Sequence, residues 1–145
     1  MTRIFTTLAV LNTLALLATA VVGTVSKLRG AATAVHDPTY LWHFNLGLFT
    51  AVGTLLVHCL IFTYFLGTGR WVKEVTLAYC LPDQPWHRET RELKRTAFPP
   101  ALLAMLITIA TVAAGAGAQL REWPWLVHAS LAVITLLVNG WAFVI

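Results

Sequence analysis

The chain has 145 residues, 58% of them hydrophobic and 11% charged, with a mean hydropathy of +0.74 and a formal net charge of +4. Its length allows a single domain, and this balance excludes a water-soluble globule with a charged surface wrapped around its core. There is no phosphate-binding loop, Ser/His/Asp arrangement or pair of carboxylates for hydrolytic or phosphoryl chemistry, and the basic residues are too dispersed to form a nucleic-acid stripe.

Arg3 is the only charge before Lys27. The uncharged run from Ile4 to Ser26 exceeds the apolar region of a signal peptide, about 7–15 residues, and predicts a first membrane helix near 3–26. Ala15, Thr19 and Gly23 recur every fourth residue, a ridge that lets another helix approach closely, and Asn12 is the one strongly polar residue in the span. Lys27 to Pro38 is a short connection, with Pro38 placed to lead into the next element.

Between Pro38 and Gly69 there is no Asp, Glu, Lys or Arg, which predicts a second membrane helix near 39–67. His43 and His58 lie on it about 60° apart around the axis and roughly 22 Å apart along it. Thr50 and Thr54 fall within about 20° of the His43 direction, so a polar stripe runs along an otherwise apolar cylinder. Arg70 to Thr96 is the only substantial polar segment. It reads as a cytoplasmic loop, 70–97, with Trp71, Val72, Val75 and Leu77 set among charges as in an interfacial amphipathic segment, and with Pro82 and Pro85 as breakers. His87 in this loop reads as a solvated surface histidine.

Pro99 and Pro100 are placed to open a third span near 98–119, whose second half is a packing surface of Ala110, Ala114, Gly115, Gly117 and Ala118. After the turn at Arg121 and Glu122, a fourth uncharged run covers 123–145, with His128, Thr135 and Asn139 close to one face. It has no polar anchor at its end, and the natural chain is expected to continue past Ile145. Short connections imply antiparallel neighbours. The expected fold is therefore an all-α integral membrane protein, a four-transmembrane-helix bundle with an amphipathic segment between helices 2 and 3. No sequence repeat is legible between the two helical pairs.

Seven of the ten basic residues (Arg3, Arg70, Lys73, Arg88, Arg91, Lys94, Arg95) fall on one side of this topology, and Lys27, Arg29 and Arg121 on the other. The positive-inside rule then puts both termini in the cytoplasm, and a bacterial inner membrane is the expected location. His43 and His128, each near the start of a descending helix, should share an outer depth. Asn12, His58, Met105 and Asn139 should share an inner one.

Two readings of these histidines stand side by side. In one, His43 and His128 are the axial ligands of a haem b, with Gly47 and Gly53 making room for the macrocycle and His58 as a further candidate cofactor residue in the inner layer. In the other they are polar anchors that hold helices by hydrogen bonds, in a structural or accessory subunit. His58 lies too deep to be charged, and must be neutral and hydrogen-bonded, to an asparagine for example, or hold a cofactor. A single-ligand pigment site, or a copper or zinc site from His36, Asp37, His43 and His128, is a weaker alternative. Cys59 and Cys80 make no metal-ligand spacing with each other. Catalytic residues are not expected. The expected partners are the lipid bilayer and other membrane or peripheral subunits or further copies of the chain.

In helix count and buried histidines the architecture is similar to the small haem-carrying membrane anchors of respiratory complexes. The likeness implies an electron-transfer or anchoring component of a redox complex, and it carries no residue role to any position here.

Overall fold

Lipid offers no partner to a backbone N–H or C=O, so each apolar run must pair its own backbone as a helix. The computed structural model, which describes residues 2–31, 36–82 and 85–145, has four helices: α1 (Thr2–Leu28), α2 (Pro38–Ala78), α3 (Trp86–Gln119) and α4 (Trp125–Val144). All four are long and apolar enough to cross a membrane, and no strand occurs among the described residues.

The helices close an up-down ring in which α1–α2, α2–α3 and α3–α4 pack firmly and α1–α4 least. Helices α2 and α4 are diagonal and meet through side chains. We call the end with the α1–α2 and α3–α4 connections the turn end, and the other, with the chain termini and the α2–α3 connection, the hairpin end.

The ends are local chemistry. Asp37 caps α2 by accepting from the Thr39 amide at 2.8 Å and from the Thr39 hydroxyl, with Pro38 in the first turn where its missing N–H costs nothing. These bonds to Thr39 hold the Asp37 carboxyl below the usual aspartate range. Helices α1, α2 and α3 stop in the same way. A residue with positive φ (Gly30, Cys80, Arg121) reverses the chain, and the next amide bonds back five residues: Ala31 to Ser26, Leu81 to Thr76, Glu122 to Gly117. Only the first of the three is glycine.

Residues 70–97, expected as a loop with an interfacial segment, are instead mostly the ends of two helices. Helix α2 runs on to Ala78 and α3 begins at Trp86. At 1.5 Å per residue α2 is about 60 Å long, twice a hydrocarbon core of about 30 Å. The extensions pair with each other: Thr76 Oγ1 lies 2.8 Å from His87 Nε2, so His87 joins the two helices, and Lys94 lies against Gly69. Exposed Arg70–Glu74 and Arg88–Glu92 pairs flank them.

Pro99 and Pro100, expected to open the third span, lie inside α3. Two backbone donors are lost there, yet Phe98 packs on Phe62 and Phe65 with centroids 4.5 and 6.3 Å apart. That contact fastens α3 to α2 beside the missing bonds.

The bundle is polar and small inside and apolar outside. Ala51, Ala101, Ala104 and Ala114 share the interior with Asn12, Thr50, Thr54, His58, Thr108, Thr135 and Asn139, while Val21, Phe49, Leu106 and Leu137 are exposed. Lipid tails are as apolar as leucine, so such helices associate through close packing and hydrogen bonds.

Candidate functional site

The structure brings His43 and His128 together. Their ring centroids are 6.1 Å apart, with planes inclined at 72°, near the turn end and across the α2–α4 diagonal. Each ring is tied to the other helix of its own pair. His43 Nδ1 donates to the Thr19 carbonyl of α1 at 3.1 Å, and His128 Nδ1 to the Thr111 carbonyl of α3 at 2.9 Å. A carbonyl can only accept, so both imidazoles carry their proton on Nδ1 and keep a lone pair on Nε2. That Nε2 has no hydrogen-bond partner among the described residues.

Glycine makes room for each ring. A Cβ on Gly23 would lie 2.5 Å from His43 Cε1, and one on Gly115 would lie 2.9 Å from His128 Cε1. One turn before each glycine, a threonine hydroxyl reaches a threonine of the partner helix: Thr19 to Thr50 at 3.1 Å, and Thr111 to Thr135 at 2.6 Å. The two helix pairs thus carry one contact set, Thr-x-x-x-Gly on the first helix and His-x6-Thr on the second, in which α1 corresponds to α3 and α2 to α4. The absence of a legible repeat is corrected here. In the sequence Thr19, Gly23 and Gly115 read only as small packing residues and Thr111 carries no signal of its own; the doubled spacing is what singles out all four.

The room expected from Gly47 and Gly53 is of another kind. Gly47 faces the Thr19 methyl and Gly53 the Asn12 carbonyl oxygen, so both serve the close approach of α1 to α2. Thr19 and Gly23 face α2 in the same contact, which uses their ridge inside the bundle.

His58 does not join the His43–His128 pair. It lies toward the hairpin end, fully buried, with Nε2 2.9 Å from Asn139 Oδ1 and its ring stacked on Phe143 at 5.1 Å and 9°. The common inner layer does hold Asn12, bonded to Thr54, and Asn139, bonded to Thr135 and Thr108. Among the described residues no group of three or more His, Cys, Asp or Glu side chains is placed to hold a metal ion. His36 is exposed and Asp37 is occupied with its cap, so the set of His36, Asp37, His43 and His128 is not assembled as a four-donor site. At the turn end Lys27 Nζ lies 4.7 Å from the centre of the Trp125 ring, a cation–π contact between α1 and α4.

Comparison with protein-family models, curated proteins and solved structures finds no match. The site is therefore read from its own chemistry.

The glycine contacts yield a graded expectation. Gly23→Ala and Gly115→Ala should each destabilise the bundle by about 1–3 kcal/mol, the usual range for overpacking, because ring and backbone cannot both stay. Gly47→Ala, whose Cβ would meet Thr19 Cγ2 at an ordinary 3.5 Å, should be close to neutral. Unfolding titrations in mixed micelles measure all three, and equal effects at Gly23 and Gly47 would contradict the close fit of the ring.

Proposed function

We propose that this chain is a small haem b-binding membrane protein, an electron-transfer or anchoring subunit of a redox complex, with His43 and His128 as the two axial ligands. The observation that carries the reading is the pair of imidazoles 6.1 Å apart between α2 and α4, each with Nδ1 tied to a carbonyl and Nε2 without a hydrogen-bond partner among the described residues. A ligating histidine needs this arrangement: the carbonyl fixes tautomer and ring direction and makes the free nitrogen more basic.

The spacing fits. At a centroid separation of 6.1 Å the two imidazoles would both be within reach of one haem iron held between them. The donor number fits as well. A bare zinc or copper ion would want four or so protein ligands, whereas a porphyrin supplies four nitrogens and asks the protein for two. A single-ligand pigment would leave one imidazole without a role. Bound there, haem iron would carry one electron at a time between its ferric and ferrous states. The chain's own part is to hold the Nδ1 protons on the Thr19 and Thr111 carbonyls and to keep the rings opposed.

A second reading has its own support. The same Nδ1 bonds already tie α2 to α1 and α4 to α3, so the histidines could serve as helix anchors in an accessory subunit with no cofactor. The two readings differ in colour. His43→Ala and His128→Ala should each abolish the reduced-minus-oxidised haem band of protein made with full haem supply, with the helices still inserted, and His58→Ala should spare it. A colourless wild type would favour the anchoring reading, and a band lost only in His58→Ala would move the site to the inner layer.

The topology belongs to the same proposal: a bacterial cytoplasmic membrane, both termini and the α2–α3 hairpin in the cytoplasm, the histidine pair toward the outer surface, and neighbours that are lipid and other subunits or copies of the chain. The seven-to-three basic bias supports it. Cys80 is free and exposed at the hairpin tip. A membrane-impermeant thiol reagent should reach it in inside-out vesicles and not in intact cells, and labelling in intact cells would reverse the orientation.

A further inference from the structure

Toward the hairpin end, two buried polar atoms have no hydrogen-bond partner among the described residues: His58 Nδ1 and Asn12 Nδ2. His58 is 0% and Asn12 7% exposed, so solvent reaches neither to any extent, and such groups in membrane interiors are normally satisfied. The bonding around them defines what is missing. Asn139 Nδ2 donates to the Thr135 carbonyl at 2.9 Å, which turns Asn139 Oδ1 toward His58. His58 therefore donates from Nε2, and its Nδ1 is a lone pair in need of a donor. On the other side, the Thr54 hydroxyl has one hydrogen, directed to the Thr50 carbonyl at 2.8 Å, and its 3.1 Å contact with the Asn12 amide uses one of the two amide atoms. Whichever way that amide is turned, its other polar atom is left over.

The residues that carry the leftover groups converge on one stretch of α2: Thr54, which contacts Asn12, and His58 are one turn apart, about 6 Å along the axis. A single water joins two heavy atoms about 5.6 Å apart through two bonds of about 2.8 Å. Water also suits either turn of the amide, since it can give both hydrogens or give one and accept one.

The internal correspondence adds an independent observation. By the spacing that matches Thr19 to Thr111 and Gly23 to Gly115, Asn12 corresponds to Ala104. By the spacing that matches His43 to His128, His58 corresponds to Phe143. The other half carries alanine and phenylalanine at these positions, so the polar residues on α1 and α2 are a feature of one half alone.

We propose that Asn12 and His58 form a binding site for one water molecule, which donates to His58 Nδ1 and bonds the free amide atom of Asn12, joining α1 to α2 beside the His58–Asn139 contact with α4. The site stands apart from the His43–His128 pair and does not depend on what that pair binds.

The test is solid-state NMR of the full chain in lipid bilayers with 15N-labelled histidine. His58 should show a protonated Nε2, an unprotonated but hydrogen-bonded Nδ1, and a cross-peak from Nδ1 to water. Asn12→Ala, the residue of the sister half, should remove that cross-peak while Nε2 stays protonated, and His58→Phe should leave the bundle folded with a single imidazole water signal lost. A protonated Nδ1, a wild type without the water cross-peak, or a cross-peak indifferent to Asn12→Ala would overturn the proposal. So would a cross-peak to the hydroxyl of a carbon-bearing molecule, which would assign the site to a lipid-soluble alcohol or phenol.

Discussion

An imidazole N–H held by a backbone carbonyl of the next helix is the contact on which the rest of this bundle turns. It occurs twice, from His43 to Thr19 and from His128 to Thr111. Each needs a glycine one turn further along, because any side chain there would occupy the volume of the ring. In water the bond would be worth about 1 kcal/mol net, exchanged against hydration. Among helices that gain nothing from hiding leucine from lipid, it is one of the few specific forces available, and it aligns α1 with α2 and α3 with α4.

The same contact determines what the site can do. Taking up Nδ1 leaves each ring one lone pair, and placing the rings on diagonal helices sets those two imidazoles opposite each other across the bundle. If the pair ligates as proposed, packing and ligation are not rival demands on these residues, since one geometry would serve both. His58 is different: its Nε2 proton is committed to Asn139 and its face to Phe143.

The four helices were legible in the sequence because uncharged runs of this length have one physical solution in lipid. The common depth of His43 and His128 followed from helix direction alone. The length of α2 and α3 was not legible, since charged stretches such as Arg70–Glu74 read equally well as a solvated helix or an interfacial loop. Nor was the course of the chain through Pro99 and Pro100, where Phe98 packing on α2 outweighs local preference. The paired design escaped notice for a geometric reason. Thr19 and Gly23 recur 92 residues on, while His43 and Thr50 recur 85 residues on, because the two turns differ in length, so no single period relates the halves. The partners of His58 lie on another helix, and spacing along one helix could not name them.

The central claim is that His43 and His128 jointly hold one iron. Electron paramagnetic resonance of the oxidised, haem-loaded protein tests it most directly. Two imidazoles with planes inclined at 72° should give a low-spin ferric signal of strong anisotropy, lost when either histidine is replaced by alanine. A high-spin signal in the wild type, or no haem signal after loading in the membrane, would contradict the account.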